Sequence, residues 1–337
     1  MTPIRAADVA QTTPTGAAIA AAVAQGYALG QILNCELLRR GFNHVYGLRL
    51  ADGRRVVARL CANRPRGAPN IDYEAALLSH LKAGGMAVAA ALPTRAGAAG
   101  IPMPLPEGTH MLMLFEHLEG DPPGESLRDV EATGHSLALL HETGQDYRGP
   151  ASRYVLELPY LLGASLNRLS GAPTMDDTLR ADFRAIAQRL DDRIAAMSGL
   201  TQVHCHGDCH GSNNFMTDGP DGVRISSFFD FDDAGPGWLA YELAVYLWAM
   251  LPRTAGAELD SSARERWRRY IAGYCSVRPI AAADFAAIAP FVAVRHFWLM
   301  AEYAGRIDVW GTQTMPGAWL RKQVDLLTAW ESMQTPD

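Results

Sequence analysis

The sequence HCHGDCHGSNN, residues 204–214, is the densest polar segment of the chain, and the acidic sequence FFDFDD, residues 228–233, follows it closely. Between them, two short apolar segments, 214–217 and 223–229, flank the turn sequence DGPDG at residues 218–222. A turn of Asp, Gly and Pro between two such segments predicts a β-hairpin. Because a hairpin returns the chain to its starting point, we expect the two polar segments to lie side by side.

Three residues within the first segment point to phosphoryl transfer. His206, Asp208 and Asn213 match the order H-x-D-x-x-x-x-N, in which the Asp accepts the proton of the acceptor hydroxyl and the Asn binds a metal ion. Such a site needs a further carboxylate to join Mg²⁺ to the phosphates. Asp230, at the end of the second predicted strand, is placed to provide it. The sequence therefore predicts Asp208 as catalytic base, with Asn213 and Asp230 as Mg²⁺ ligands.

A zinc site is the competing interpretation of the same segment, because it is rich in histidine and cysteine. Cys205 and Cys209 have a workable ligand spacing. Structural zinc, however, usually takes paired ligands from two separated places in the chain, and no second Cys/His pair follows. A zinc-binding or catalytically silent nucleotide-binding module therefore stays as an alternative, while packing of both cysteines as small apolar residues is favoured.

The segments HGDCHGSNNF, residues 206–215, and FFDFDDAGPGWLAYELAVYLW, residues 228–248, resemble the aminoglycoside phosphotransferase/choline kinase-type family. The chain is similar in particular to bacterial stress-response kinases and homoserine-kinase-like members, from about Leu37 to the last helices. The resemblance implies a protein-kinase-like fold and transfer of the γ-phosphate of ATP, or of GTP, to a hydroxyl group.

The same resemblance implies further roles around the catalytic loop. His206 would support the loop from behind, and His210 would lie near substrate or phosphate, with a plain loop histidine as the equal alternative. Asp232 and Asp233 would be supporting acids or helix caps, and Glu242 would brace the loop.

The front of the chain must hold the nucleotide if this interpretation is right. Asn43 lies in a predicted tight turn that would cover the phosphates, as in the resembling family. Arg59 interrupts an otherwise apolar predicted strand, which is costly without a partner, and Glu74 on the next helix is the natural partner. The family usually has Lys at this strand position. An ordinary Arg on the outer face of an edge strand is the alternative.

A predicted hinge follows the apolar strand of residues 109–115. The segment near Glu116 and Leu118 resembles the hinge whose backbone reads the edge of adenine. Backbone recognition leaves little trace in the side chains, so this prediction depends on position in the chain.

The chain of 337 residues is long enough for two lobes. An Asp-Gly turn at residues 52–53 joins two strands, Asp72 is predicted to cap the next helix, and the chain from about Ser126 onward is mainly helical with one embedded hairpin. We therefore predict an α+β, two-lobed protein-kinase-like fold. Residues 1–118 would form a small β-rich nucleotide-binding lobe, with 1–30 as a helical extension. Residues 119–337 would form a larger helical lobe with the catalytic loop and substrate site.

Composition restricts the partners and the compartment. The net charge is -6 and no run of Lys or Arg exceeds two residues, which argues against nucleic acid and anionic membranes. Five cysteines without disulfide-scaffold density favour a reduced, cytoplasmic setting. The apolar run 238–251 is too short to span a bilayer and contains Glu242. A nucleoside triphosphate and a small hydroxylated substrate are the expected partners, and the protein is expected to be a monomer or a homodimer.

The short connection after Asp230 favours a small acceptor. A helix is predicted from Trp238, eight residues later, which leaves no room for the long segment on which protein kinases bind peptides, and no A-P-E motif follows. An amino alcohol, a sugar, a homoserine-like compound or an aminoglycoside-like antibiotic would fit this pattern. A Ser/Thr protein kinase of the stress-response type stays open as the alternative.

Overall fold

The N-terminal lobe is an antiparallel sheet whose first three strands are joined by tight turns. In the computed structural model, which describes residues 8–337 apart from the side chain of Asp221, the turn after Leu50 is closed by the backbone N–H of Gly53. Gly53 has a φ of 87°, a conformation that residues with a Cβ rarely adopt. The sheet order is β1-β2-β3-β6-β4, with β5 also paired to β6. The strands of this lobe are β1 (Ile32–Arg40), β2 (His44–Leu50), β3 (Arg55–Cys61), β4 (Ala91–Leu92), β5 (Ile101–Leu105) and β6 (Gly108–Glu116).

Two helices accompany the sheet. Helix α1 (Gly16–Gly26) begins after Thr15, whose side chain caps the backbone N–H of Ala18 at 3.3 Å, and it buries one face in a core shared with β2, β3 and β6. Helix α2 (Ile71–Ala83) begins after Asn70, so the predicted cap Asp72 is wrong by two positions and lies inside the first turn. Asp72 still carries a negative charge where the helix dipole favours one. Residues 1–7 of the predicted helical extension lie outside the described residues.

The C-terminal lobe is mainly helical and contains the large hydrophobic core of the protein. A π-helical turn at Pro159–Gly163 leads into α4. The helices of this lobe are α3 (Leu127–Gly144), α4 (Ala164–Ser170), α5 (Asp177–Ala195), α6 (Leu239–Met250), α7 (Ser261–Cys275), α8 (Ala282–Ala304), α9 (Ile307–Trp310) and α10 (Gly317–Glu331). The predicted α+β, two-lobed architecture is confirmed.

Two short strand pairs within this lobe position its polar loops. The predicted hairpin is present as β8 (Asn214–Asp218) and β9 (Arg224–Phe228), in which Asn214 is opposite Phe228. A second pair, β7 (Gln202–Cys205) with β10 (Gly235–Trp238), was not predicted, and its register places Gly235 opposite Cys205. Each polar loop, 206–213 and 229–234, therefore runs between the same two strand pairs, so the loops face each other.

Helix α8 is long and apolar enough to cross a membrane by length and composition, but 78% of its most apolar 18-residue window is buried inside the protein. It contains the buried charged residues Arg295 and Glu302, at 2% and 0% exposure. Both features are typical of a central core helix. All five cysteines are free thiols.

Candidate active site

Asp208 and Asn213 are held together at the turn between β7 and β8. The side-chain amide of Asn213 donates to the backbone carbonyl of Asp208 at 3.0 Å and to its Oδ2 at 2.9 Å. Asn213 also accepts, through its backbone carbonyl, the N–H of Phe229 at 3.0 Å. This last bond joins the first polar loop to the second, one residue before Asp230. The hairpin therefore brings the two loops together as predicted.

His206 supports the loop from inside the protein. It is fully buried; its Nε2 lies 2.9 Å from the carbonyl oxygen of Phe229, and its Nδ1 lies 3.3 Å from the N–H of Asp208. Burial lowers the pKa of His206, which favours the neutral ring with Nε2 protonated and Nδ1 free to accept. The ring packs against Phe231 at a centroid distance of 4.4 Å. These contacts make His206 a positioning residue that fixes the direction of Asp208.

Asp230 has a strained backbone. With a φ of 66°, it is the only non-glycine residue with a positive φ among residues 8–337. Such strain costs about 1–3 kcal/mol and persists where the surrounding structure enforces it, often at functional sites. Its Oδ1 lies 3.3 Å from Nη1 of Arg59. The loop thus turns the Asp230 side chain away from the strand direction and toward the N-terminal lobe.

Arg59 and Glu74 form a buried pair between β3 and α2. Nη1 of Arg59 lies 2.9 Å from Oε1 of Glu74, a second contact joins Nη2 to Oε2, and both side chains are at most 5% exposed. The guanidinium also packs on the ring of Phe115, 4.8 Å from the centroid. The alternative of a surface-facing Arg is therefore wrong, because β3 is an inner strand of the sheet.

Asn43 lies in the turn between β1 and β2, as predicted, but its side chain is already occupied. Its Oδ1 accepts the N–H of Ala62 at 3.1 Å and its amide donates to Oδ2 of Asp232 at 2.9 Å. Asn43 therefore fastens the turn to both lobes. A contact of Asn43 itself with a nucleotide would have to come from its backbone.

Two connected cavities meet at Asp230. The first, of about 240 Å³, is apolar and lies under the predicted hinge, where Glu116 and Leu118 border it together with Phe115 and Phe229. The second, of about 480 Å³, is polar. Residues that line both cavities are Arg39, Val45, Arg59 and Asp230. The second cavity also contains the predicted catalytic residues Asp208, His210 and Asn213.

Cys205 and Cys209 do not form a metal site. Both are buried, and burial raises the pKa of each thiol, which opposes the thiolate form that zinc requires. Within residues 8–337, no group of three or more His, Cys, Asp or Glu side chains is arranged to hold a metal ion. The loops offer a different set of atoms that could hold a metal ion, the amide oxygen of Asn213 and the carboxylate of Asp230. Oxygen ligands of this kind, completed by phosphate oxygens, suit Mg²⁺.

Several arginines at the site were not predicted. Arg64 donates to Asp232 at 2.8 Å, to Asp233 at 2.9 Å and to Glu302 at 2.8 Å, all of them buried. Arg66 adds contacts to the same two aspartates. Asp232 and Asp233 therefore belong to a buried ion cluster between the lobes, which agrees with the predicted supporting role and excludes helix capping.

Arg295 is the second unpredicted residue, and it contacts Asp208 directly. Its Nη2 donates to Oδ1 of Asp208, while His210 Nε2 lies 3.5 Å from Oδ2. Burial would raise the pKa of Asp208, but Arg295, followed by His210, holds it well below its usual range. The one sequence signal for Arg295 is a lone cation within the apolar stretch of α8, which has to find a partner.

A two-lobed fold with paired cavities and an Asp, Asn and Asp set between them defines the class of kinase-like phosphotransferases. A model of the phosphotransferase enzyme family (APH) matches residues 34–280, and the chain belongs to that family. The predicted resemblance is confirmed. The enzyme is thus a phosphotransferase.

Individual proteins are similar to this chain over much of its length. An uncharacterised protein of Deinococcus radiodurans is 33% identical over 315 residues, which cover 93% of this chain and 89% of that protein. A homoserine kinase of Cupriavidus necator is 29% identical over 224 residues, covering 64% of this chain and 63% of the kinase. The structure of an amicoumacin kinase in complex with AMP-PNP, Ca²⁺ and Ami has a TM-score of 0.75 at 19% identity, covering 95% of this chain and 96% of that one. This last likeness shows the shared fold.

Proposed function

We propose that the protein is an ATP- or GTP-dependent kinase that phosphorylates the hydroxyl of a small molecule, with Asp208 facing the acceptor and Asn213 and Asp230 holding Mg²⁺. The observation that carries this proposal is the position of these three residues in one cavity, next to a second, apolar cavity of about 240 Å³.

The apolar cavity suits the base of the nucleotide. Its walls include Val57, Ala89 and Phe229, and the hinge segment at Glu116 and Leu118 forms one edge. A flat apolar slot beside exposed backbone is what adenine or guanine recognition requires. With the base in this slot, the triphosphate extends toward Arg59 and Asp230, where the two cavities join.

The metal would be held where the loops meet. Asn213 and Asp230 each offer one oxygen-bearing side chain to the polar cavity, and two protein ligands completed by phosphate oxygens and water are typical of Mg²⁺ in kinases. When bound, Mg²⁺ neutralises charge on the phosphoryl group that is transferred. Arg59 adds a fixed positive charge from β3, held in place by Glu74.

Asp208 acts by orientation more than by basicity. Its pKa lies well below the usual range, after the opposing effect of burial, because of Arg295, so the carboxylate is ionised throughout the neutral range. Phosphoryl transfer passes through a loose transition state that needs little help from a strong base. An ionised Asp208 held by Asn213 can therefore accept the hydrogen bond of the acceptor hydroxyl and direct its oxygen at the γ-phosphate.

The segment after Asp230 supports a small acceptor. Residues 231–233 form a single 3₁₀ turn, β10 follows at once, and α6 begins at Leu239. The chain between the metal ligand and α6 is therefore used in a buried strand pair with β7 and offers no peptide platform. This favours the small-molecule kinase over the protein kinase.

A screen for ADP release with hydroxylated metabolites and aminoglycosides tests the proposal. We expect Asp208→Asn to lower kcat by at least ~10², the usual scale for losing the group that orients the reacting hydroxyl and accepts its proton, with nucleotide affinity nearly intact. Asp230→Ala should abolish Mg²⁺-dependent binding of the nucleotide. Wild-type rates in both variants would show that the residue roles are wrong.

A further inference from the structure

The acceptor end of the polar cavity is formed by the C-terminal lobe and carries two arginines. Helix α6, the segment after it and α8 contribute Arg253 and Arg295 together with three aromatic residues, Trp248, Trp298 and Tyr303. Four carboxylates of the described residues line the cavity, and each of them is already paired with an arginine: Asp208 with Arg295, Asp230 with Arg59, and Asp232 and Asp233 with Arg64. A positively charged acceptor would therefore find no free counter-charge on this side.

Arg295 has hydrogen-bonding capacity to spare. It is 2% exposed, and although Nη2 is used by Asp208, its Nε and Nη1 are buried without a hydrogen-bond partner among residues 8–337. Buried guanidinium N–H groups without partners are costly. Both nitrogens are closed off from the cavity in this conformation, so the guanidinium would have to reorient slightly for an acceptor oxygen to reach them.

Arg253 places a second cation at the same wall. Its Nη1 donates to the backbone carbonyls of Trp248 at 2.7 Å and Leu251 at 2.9 Å, and it makes no ion pair within the described part of the chain. Burial, followed by the positive charge of Arg295, lowers the pKa of Arg253 to about 10, although part of the side chain reaches solvent. Among the described residues, Arg253 is thus a cation without an acid partner, next to Arg295 whose acid partner is Asp208, and this arrangement favours an anion over a further cation.

The two tryptophan rings of this wall are already used by these arginines. The guanidinium of Arg253 lies 4.1 Å from the centroid of Trp248, and that of Arg295 lies 4.5 Å from the centroid of Trp298. Aromatic rings can enclose an ammonium group, but the rings of Trp248 and Trp298 are stacked on guanidinium groups instead.

Resting on the kinase function proposed above, we infer that the acceptor is a hydroxyl compound that carries a carboxylate, bound by Arg253 and Arg295, and is not a cationic amino alcohol or aminoglycoside. A carboxylate fits the planar, forked donors of arginine. It also brings a single negative charge close to a triphosphate, where a phosphate group would bring nearly two.

The inference is tested with matched acceptors that differ at the carboxylate. Homoserine is compared with 3-aminopropan-1-ol, and 4-hydroxybutyrate with 1,4-butanediol, each with ATP and Mg²⁺. We expect kcat/KM to be at least ~10-fold higher for the carboxylate member of each pair, the effect of one good charge-assisted contact. Equal values, or a preference for 3-aminopropan-1-ol, would overturn it while leaving the kinase function standing.

Variants of Arg253 separate charge recognition from a structural role. Arg253→Met should raise KM for the carboxylate acceptors about tenfold and remove most of the discrimination within each pair. Arg253→Lys should keep part of it, because the charge is retained. Arg321→Met is the control, because Arg321 is an exposed residue of α10 whose ion pair is with Asp176. Unchanged discrimination in Arg253→Met contradicts the inference.

A binding measurement gives a readout that does not depend on turnover. The protein loaded with AMP-PNP and Mg²⁺ is titrated by calorimetry with 4-hydroxybutyrate and with 1,4-butanediol. We expect heat of binding with 4-hydroxybutyrate and none with 1,4-butanediol, and a smaller heat with 4-hydroxybutyrate in Arg253→Met. An absence of binding by 4-hydroxybutyrate would overturn the inference. A failure to bind AMP-PNP in the first place would instead refute the proposed kinase function, and this inference with it.

Discussion

The guanidinium of Arg295 donates to the carboxylate of Asp208, although the two residues lie 87 positions apart in the chain. Arg295 belongs to the central helix α8, so its position is fixed by the core of the C-terminal lobe. The contact joins a long and mostly buried helix of the lobe to one of its polar loops. It holds Asp208 in its ionised form despite burial.

Removing this contact should change how activity depends on pH. In Arg295→Met the pKa of Asp208 should rise, because burial raises it and the positive charge that lowers it is gone. At saturating acceptor, kcat should therefore fall as the pH is lowered through this raised pKa. The wild-type enzyme should keep its rate to lower pH. The measurement is kcat between pH 5 and pH 9, with thermal unfolding to confirm a folded variant. If kcat of the variant falls at the same pH as kcat of the wild type, Arg295 does not set the pKa of Asp208.

Arg59 should be needed for nucleotide binding and also for stability. Arg59→Met leaves Glu74 buried without its partner, and breaking a buried ion pair in this way costs about 3–5 kcal/mol. The double variant Arg59→Met/Glu74→Gln should recover most of that stability but not the affinity for AMP-PNP, because the cation next to the phosphates is still missing. Denaturant unfolding and AMP-PNP titration of both variants measure the two effects. Full recovery of affinity in the double variant would assign Arg59 to structure alone.

The sequence was sufficient for the parts of the site that are local in the chain. Asp208 and Asn213 are five positions apart, and the spacing of the hairpin predicted that Asp230 returns beside them. The pair of Arg59 with Glu74 followed from one charge in an apolar strand, which requires a partner. In each case a short segment and one physical rule determine the contact.

The parts that depend on distant packing could not be predicted in this way. Arg64 meets Glu302, which is 238 positions away, and nothing in the sequence near Arg64 indicates that partner. The strand pair of β7 with β10 was missed because each strand has four residues, too few for an alternating pattern to show. The side chain of Asn43, predicted to contact the nucleotide, is occupied by Asp232 for the same reason, since that contact crosses between the lobes.

Glu242 should make stability depend on pH around neutrality. It is fully buried, its Oε2 accepts the N–H of Gly207 at 3.0 Å, and its Oε1 has no partner within the described residues. Burial raises the pKa of Glu242 from 4.5 to about 7. The folded state therefore binds a proton that the unfolded state releases between these pH values, so the unfolding free energy should decrease as pH rises from about 4.5 to 7.

The difference between the pKa of Glu242 in the folded and unfolded states sets the size of the change in unfolding free energy, and a variant that cannot ionise provides the control. A pKa raised from 4.5 to about 7 corresponds to about 3 kcal/mol over the whole range. Glu242→Gln keeps the acceptor for Gly207 but cannot ionise, so its stability curve should be flatter than that of the wild type. Denaturant unfolding at half-unit steps from pH 4.5 to pH 8 compares the two proteins. Parallel curves would mean that Glu242 does not titrate in this range.

Gly207 should be irreplaceable for a reason that its backbone angle alone does not explain. Its φ is 82°, close to the 87° of Gly53 in the turn between β2 and β3. A Cβ at Gly207 would overlap the backbone carbonyl of Asp233, whereas a Cβ at Gly53 would have nothing within 4 Å. The two glycines therefore share a backbone conformation but differ in the space around it.

Comparing Gly207→Ala with Gly53→Ala isolates that close approach. Gly53→Ala should cost about 1 kcal/mol, the price of a left-handed conformation for alanine, and leave kcat unchanged. Gly207→Ala has the same backbone strain and must also push the two polar loops apart, because the atoms that its Cβ would meet belong to the backbone of Asp233 and not to a flexible side chain. It should lose stability by a further ~2 kcal/mol or more and lose kcat by at least ~10², because separating the loops moves Asp208 away from Asp230. Unfolding curves and ADP release measure both, and similar losses in the two variants would show that the loops do not depend on this contact.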